Sequence, residues 1–336
     1  PILYTVIEAQ YCLGLLQPVN YGETLRAAEA VQVRFHDAGH ILGSSWLEVT
    51  VSGEGRPRRL VFSGDLGMRD RPVLRDPERP VPEADVLLIE STYGDRQHGQ
   101  EDILQELGPA LQRLSQRGGV AVVPVFAVGR AQAVLHAINL LKKQGTIARS
   151  LPVFLDSPMA VSTTGLFAHH TGEHRLTAHE ADALSHTATM VQTTDESKAL
   201  ARRHGPMVIL SASGMATGGR VLHHLALYAG DHRNMIIITG YQAPGTRGAR
   251  IASGEKTTRI HGQDVDVRAE VVQLTSASAH ADANQTLAWL RSMGHAPDRV
   301  YVVHGEMGAA DMLRQRIEHG LRWRAQVPRA GASYTV

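Results

Sequence analysis

Five ionisable side chains stand where apolar runs give out. His40 follows "VQVRFHDAG", Asp65 ends "LVFSGD", Glu90 ends "VLLIE", His304 ends "VYVVH", and His280 closes "LTSASAH". In α/β proteins, ligands and proton-moving groups gather at strand ends, because the loops there converge on one crevice. Each position has a plain structural alternative. A histidine beside a turn is often satisfied by a backbone group, and Asp65 before Leu-Gly also suits a turn. Glu90 is harder to place that way, since a carboxylate closing a four-residue apolar run needs a partner. Taken together, the imidazoles and carboxylates form a donor set of the kind that holds zinc and other hard or borderline metals.

Other residues offer weaker chemistry. Arg130 opens a helix in "AVGRAQ" and could reach a phosphate or pair with a carboxylate such as Asp156. Ser211, Ser213 and Gly214, followed by Gly218 and Gly219, form a small-residue loop before a helix. Such a loop can present backbone N–H groups to an anion, or simply make a tight left-handed turn. Ser278, just before His280, joins Arg130, Ser213 and Gly214 as a candidate substrate contact. Arg247, Arg250, Lys256 and Arg259 form a local basic stretch, either a solvated face or a contact for a nucleic-acid backbone. Tyr93 could stack on a base or pack internally, and packing is favoured. Asp95 and Arg96 are expected to brace that loop.

The elements that must position these groups follow from periodicity. Residues 5–17 look helical, with Pro18 ending the run. "VQVRFHDAG", "SWLEVTVSG" and "RRLVFSGD" alternate like strands. Residues 69–85 are rich in Pro and charge and suit a surface loop. "VLLIEST" is a buried strand, followed by a helix at about 101–116. From 117 to 240 strand and helix alternate, as in a doubly wound parallel sheet. Residues 160–205 look mostly helical and polar. "VDVRAEVVQLTSAS" returns to alternating strands, and Asp282 is a natural cap for the helix after it. A middle block therefore looks inserted into a domain made of its two flanks: residues 1–100, then 101–240, then 241–336.

Bulk properties narrow the classes. The 336 residues are 43% hydrophobic and 20% charged, and the formal charge is +1. That suits a globular protein of more than one domain, without a net basic field for nucleic acid. No apolar run approaches the roughly 18 residues a membrane helix needs, so no membrane partner is expected. The lone Cys12 excludes an intrachain disulfide and a Cys-rich zinc module. It suits a cytoplasmic location, and its apolar helical setting places it in the core. Most of the 18 histidines need no special role; the adjacent pairs His169–His170 and His223–His224 make poor chelates.

In order along the chain, "DAGHILGS", "FSGDLG", "ESTYGDR", "SASAHAD" and "VVHGE" resemble successive motifs of the metallo-β-lactamase superfamily, and more narrowly its β-CASP branch of RNA-processing nucleases. Between them, "PVFAVGRAQ", "LDSPMA", "SASGMATGGR" and "GYQAPGTRG" resemble motifs of the inserted β-CASP domain, nearest to bacterial and archaeal relatives of the cleavage and polyadenylation factor endonuclease. The resemblance spans essentially the whole chain. It implies an α/β fold, a metallo-β-lactamase αββα sandwich carrying an inserted doubly wound β-CASP domain. It implies that His40 ligates one zinc, that Asp65 bridges two, and that His304 ligates the second. Glu90 would orient and charge-stabilise a histidine. His280 would contact the scissile phosphate and protonate the leaving oxygen. RNA is the implied partner, and a homodimer is compatible with the family.

One departure stands beside the match. The family's His-x-His-x-Asp-His signature is absent, and no His-x-His occurs anywhere. The chain opens at Pro1 without an initiator methionine, so the expectation is that an upstream segment with four ligands is missing. The sandwich should then be N-terminally incomplete, with unpaired edges and exposed core. A catalytic zinc normally takes at least three protein ligands. Metal binding should therefore be weak or absent, and the chain alone inactive. The expected function is zinc-dependent RNA hydrolysis in RNA processing or decay. The alternatives are a non-catalytic RNA-binding or assembly subunit of the same fold, and a metallo-hydrolase of small esters.

Overall fold

The computed structural model describes residues 3–99 and 101–335. The expected first helix is α1 (Val6–Leu13), started by a reciprocal cap between Thr5 and Glu8. None of its residues is buried, and Leu3, Tyr4, Val6, Ile7, Tyr11 and Leu13 are all exposed. Cys12, expected in the core, is exposed too. The apolar pattern is real, but nothing among the described residues packs against it.

Five strands follow: β1 (Thr24–Ala28), β2 (Val31–Asp37), β3 (Ser45–Val51), β4 (Arg58–Phe62) and β5 (Val86–Glu90). The first four pair antiparallel through short turns, and β5 joins β4 in parallel after the Pro-rich loop. The chain then builds α2 (Ile103–Arg117), β6 (Val120–Pro124), α3 (Arg130–Lys143), β7 (Val153–Asp156), α4 (Pro158–His169), α5 (Ala178–Thr187) and β8 (Thr189–Val191). It continues through α6 (Thr194–Leu200), β9 (Met207–Ser211), α7 (Val221–Tyr228), β10 (Met235–Ile238) and α8 (Arg247–Ala252). A hairpin of β11 (Thr257–Ile260) and β12 (Gln263–Asp266) leads to β13 (Glu270–Gln273), α9 (Ala283–Leu290), β14 (Arg299–Val303), α10 (Met307–Leu321) and β15 (Ala325–Gln326).

Two large sheets result. The first runs β1-β2-β3-β4-β5-β14-β15; the second runs β13-β10-β6-β9-β7-β8 with every pairing parallel. In the second sheet, β6, β7, β9 and β10 are buried throughout. Helices cover both its faces: α2 to α5 on one side, α7 and α8 on the other. A strand covered on both sides has no polar alternation to show, which is why these read as continuous apolar runs.

One strand differs from expectation. β13 was expected with the third segment, yet it pairs in parallel with β10 in the second sheet. Alternation marks a strand but does not say which sheet it joins. The three-residue β8 lies inside the stretch expected to be mostly helical.

Among the described residues, helices cover one face of the first sheet. Trp46, Val61, Leu87, Ile89 and Val302 pack there under α9 and α10. Register puts Phe35, Leu47, Phe62 and Leu88 in one row on the opposite face, with Val33, Val49 and Leu60 beside them. These seven apolar side chains are only half-buried. Among the described residues no helix is long and apolar enough to cross a membrane.

Candidate metal centre and the cleft above it

The C-terminal ends of β4, β5 and β14 lie side by side and carry Asp65, Glu90 and His304, joined by His40 from the turn after β2 and His280 from the segment between β13 and α9. They face the C-terminal ends of β6, β7, β9 and β10 across a cleft of about 740 Å³. His40, Asp65, His280 and His304 line one wall; Phe126, Met159, Met215 and Tyr241 line the other.

His40 sits in the turn after β2. Asp37 accepts the Gly39 N–H at 2.8 Å, and the Ser44 hydroxyl accepts the N–H groups of His40 and Ile41 at 3.0 and 3.2 Å. Gly39 adopts φ +66°, and a Cβ there would meet the Arg75 carbonyl oxygen at 2.5 Å. The turn therefore requires glycine, and it delivers the imidazole to the strand ends. His40 is largely buried. Its Nε2 lies 3.7 Å from Asp65 Oδ2, while its buried Nδ1 has no hydrogen-bond partner among the described residues. Burial, helped by His280 nearby and opposed by Asp65, pushes the His40 pKa down to about 4. At neutral pH the ring is neutral, the form that ligates metals.

Asp65 uses its other oxygen for His304, with Oδ1 3.2 Å from Nδ1. One carboxylate thus spans two histidines. His304 holds φ +52°, a left-handed conformation uncommon for a non-glycine residue. Such outliers cluster at functional sites. Thr92 Oγ1 lies 3.4 Å from the same ring nitrogen.

Glu90 is only 2% exposed. It accepts the Leu66 and Thr92 N–H groups at 2.8 and 3.1 Å, and its Oε1 meets His280 Nδ1 at 3.0 Å. Burial alone would raise its pKa. The hydrogen bonds from His280 and Thr92 outweigh that and hold it below the ordinary carboxylate value. His280 is left with a free Nε2. Its ring centroid lies 4.3 Å from that of His40 and 6.1 Å from that of His304. Donor atoms of His40, Asp65 and His280 all fall within 4.8 Å of one another. The tightest trio thus contains His280, whereas the resemblance assigns His304 to the second metal.

The remaining candidates divide. Ser278 is buried and accepts the His280 N–H at 3.3 Å, so it shapes the histidine's loop. Arg130 does not pair with Asp156. Its buried guanidinium donates to the Thr239 carbonyl, and among the described residues it makes no ion pair. Burial pushes its pKa down to about 10, so it stays charged at neutral pH. Asp156 instead takes His224, Arg220 and Ser197 at 2.6, 2.8 and 2.6 Å. The Ser213 hydroxyl accepts the N–H of exposed Thr217, and Gly214 packs against Phe126. In the basic stretch, Arg247 donates to backbone carbonyls and Arg250 pairs with Glu255, so neither guanidinium is fully free. Tyr93 is buried, and Arg96 forks onto Asp95 at 2.9 and 2.8 Å. The apolar wall of Phe126, Met159, Met215 and Tyr241 was not singled out from sequence. No periodicity marks residues that share a cleft only because parallel strands end together.

A profile for the Beta-Casp domain matches residues 131–251, and one for a Zn-dependent metallo-hydrolase RNA specificity domain matches residues 264–328. Ribonuclease TTHA0252 of Thermus thermophilus is 40% identical over 89% of this chain and 68% of its own length. An RNase J-like protein of Methanocaldococcus jannaschii is 30% identical over 90% of this chain and 70% of its own. Transcription termination factor FttA of the same organism is 32% identical over 93% of this chain, which spans about half of that relative.

Proposed function

Since the chain belongs to the β-CASP branch of the metallo-β-lactamase superfamily, we propose that it hydrolyses RNA phosphodiesters with metal ions in the cleft between its two sheets. Support comes from two relatives named as a ribonuclease and an RNase J-like protein. The observation that carries the proposal is the paired arrangement at the strand ends. Asp65 offers one oxygen to each of two histidines, and the Glu90–His280 pair stands beside them.

The donors fit a bridged pair of metals in kind and in placement. His40 is a buried neutral imidazole whose Nε2 faces Asp65 Oδ2, the form and direction a metal shared with Asp65 would need. In number they fall short. His40 and His304 would each offer one donor to a metal and Asp65 would be shared between them, against the three protein ligands usual for catalytic zinc. We therefore propose that these 336 residues bind zinc weakly and turn over little RNA alone. Two zinc ions and a homodimer are carried as parts of this proposal. Bound metals would supply an activated water and neutralise charge in an in-line displacement.

The chain's own groups do the rest. Glu90 holds Nδ1 of His280, which fixes the ring and leaves Nε2 to face the leaving oxygen. There it can donate a proton as the P–O bond breaks. Arg130, a buried cation in the same cleft that makes no ion pair among the described residues, offers a place for a phosphate oxygen. In this reading the second domain extends from about 101 past 240 to Gln273, because β13 belongs to its sheet.

The test pairs zinc binding with cleavage of a labelled single-stranded RNA, for the wild type, Asp65→Asn and His280→Ala. Metal-dependent cleavage lost in both variants supports the proposal. Cleavage that survives both rejects these residue roles. The donor count favours a second reading, an RNA-binding subunit without turnover. RNA binding with cleavage no faster at saturating zinc than in EDTA would select it, whereas a slow but zinc-dependent rate keeps the first.

A further inference from the structure

Phe126 stands out on the cleft wall opposite the histidines. It follows β6 directly, between Val125, which is fully buried, and Ala127, which is nearly so, yet it is 39% exposed. Ala127 and Val128 of the same turn also border the cleft, but Phe126 is its exposed aromatic residue. One side of the ring is closed by Gly214: a Cβ on that glycine would come within 2.5 Å of Cδ2, 2.7 Å of Cε2 and 3.0 Å of Cγ. The ring therefore seats directly on a backbone that only glycine allows.

That seat is itself held. Gln242 Nε2 donates to the Gly214 carbonyl at 3.0 Å, and the Gly248 N–H donates to the next carbonyl, of Met215, at 2.9 Å. The Phe126 carbonyl accepts the Ala131 N–H at 3.2 Å, which ties the platform to the start of α3. The exposed thioether chain of Met159, with Met215 and Tyr241, borders the same space. Arg130 lies four residues on, in the same cleft. A fixed ring with its free side on the cleft, apolar flanks, and a cation within the same cavity make a complementary surface for an unpaired base and its phosphate.

We propose that Phe126, seated on Gly214, is the stacking platform for one unpaired nucleobase beside the phosphodiester to be cut. This rests on the ribonuclease reading above. It adds that the substrate must be single-stranded at the cleavage point, and that base identity matters little there, since every base has a π-face. A base paired in a duplex cannot reach the ring.

Binding without turnover tests it. A short single-stranded RNA carries 2-aminopurine at successive positions, and its fluorescence and anisotropy are read in EDTA with the intact chain. Stacking on Phe126 quenches the probe at one register only. Phe126→Leu, which keeps apolar volume, and Gly214→Ala, which displaces the ring, each abolish that quench. Each weakens binding about tenfold, and neither changes binding of an RNA abasic at that register. A wild-type quench at no register overturns the proposal, and so does a quench and affinity unchanged in both variants. If a variant unfolds, the other variant and the wild-type quench pattern decide. RNA that fails to bind the wild type at all overturns the ribonuclease reading as well. RNA that binds with no quench overturns only the platform.

Discussion

Glu90 and His280 are 190 residues apart in the chain and 3.0 Å apart in the fold. The carboxylate is buried, and it is fully occupied by that ring and two backbone N–H groups. It is at once the anchor of a loop and the orienting partner of a histidine in the cleft, and the two roles predict two separable losses.

Glu90→Gln keeps the shape but turns an NH2 group toward a backbone donor. Opposed donors in a buried site cost about 1–3 kcal/mol, so urea unfolding should shift by that amount. If the metal-loaded chain cleaves RNA, the rate should fall by about 10²-fold or more as the acid loses its alignment. A variant with wild-type stability would show that the three hydrogen bonds are not formed.

Asp65 is predicted to hold metal rather than fold. Asp65→Asn should leave the melting temperature in EDTA within about a degree of wild type, because the carboxylate is partly exposed and its close partners among the described residues are the two histidines. Any rise in melting temperature on adding zinc, which reports binding to the native state, should shrink or vanish. A zinc-induced rise of equal size in the variant would remove Asp65 from the ligand set.

Arg130 sets stability against binding. A buried guanidinium without a carboxylate gains little for the fold, so Arg130→Met should unfold within about 1 kcal/mol of wild type, or later. RNA affinity should drop, and the slope of log K against log salt should become shallower by about one. An unchanged slope would mean that no phosphate sits there.

Asp156 controls acid stability. Burial would raise its pKa, but His224, Ser197 and Arg220 overcome that and hold it below the ordinary value. The folded value is thus lower than the unfolded one, near 3.9. Its stabilising contribution is complete above the unfolded value and disappears as pH falls through the folded one. Asp156→Asn should cost about 3–5 kcal/mol at pH 7. It should also flatten the fall in stability below about pH 4, as read from unfolding midpoints across pH. A parallel fall in both proteins would contradict this.

The site was legible in the sequence to the extent that polar residues broke apolar runs. Glu90 could be picked out because a carboxylate closing an apolar run has few structural excuses, whereas Asp65, His280 and His304 each suited a turn and gained weight only as a set. Arg130 showed only as a choice between a phosphate and Asp156; the structure removes the second partner by giving Asp156 to Arg220 and His224. Phe126 gave no signal, because an apolar residue after an apolar strand looks like core. Cys12 misled for the opposite reason: helical periodicity promised a packing face that α1 does not have here. β13 was visible as a strand, but sheet membership depends on contacts far along the chain.

The sequence separation of the Glu90–His280 pair also has a consequence in time. A ribosome adds about 5–20 residues per second, so about ten to forty seconds pass between the synthesis of Glu90 and the arrival of its partner. Within that interval the whole second sheet is made, while β5 waits without β14. The candidate donors therefore come together in stages: Asp65 can meet His40 soon after both are made, but meets His304 only after the whole second sheet has been synthesised.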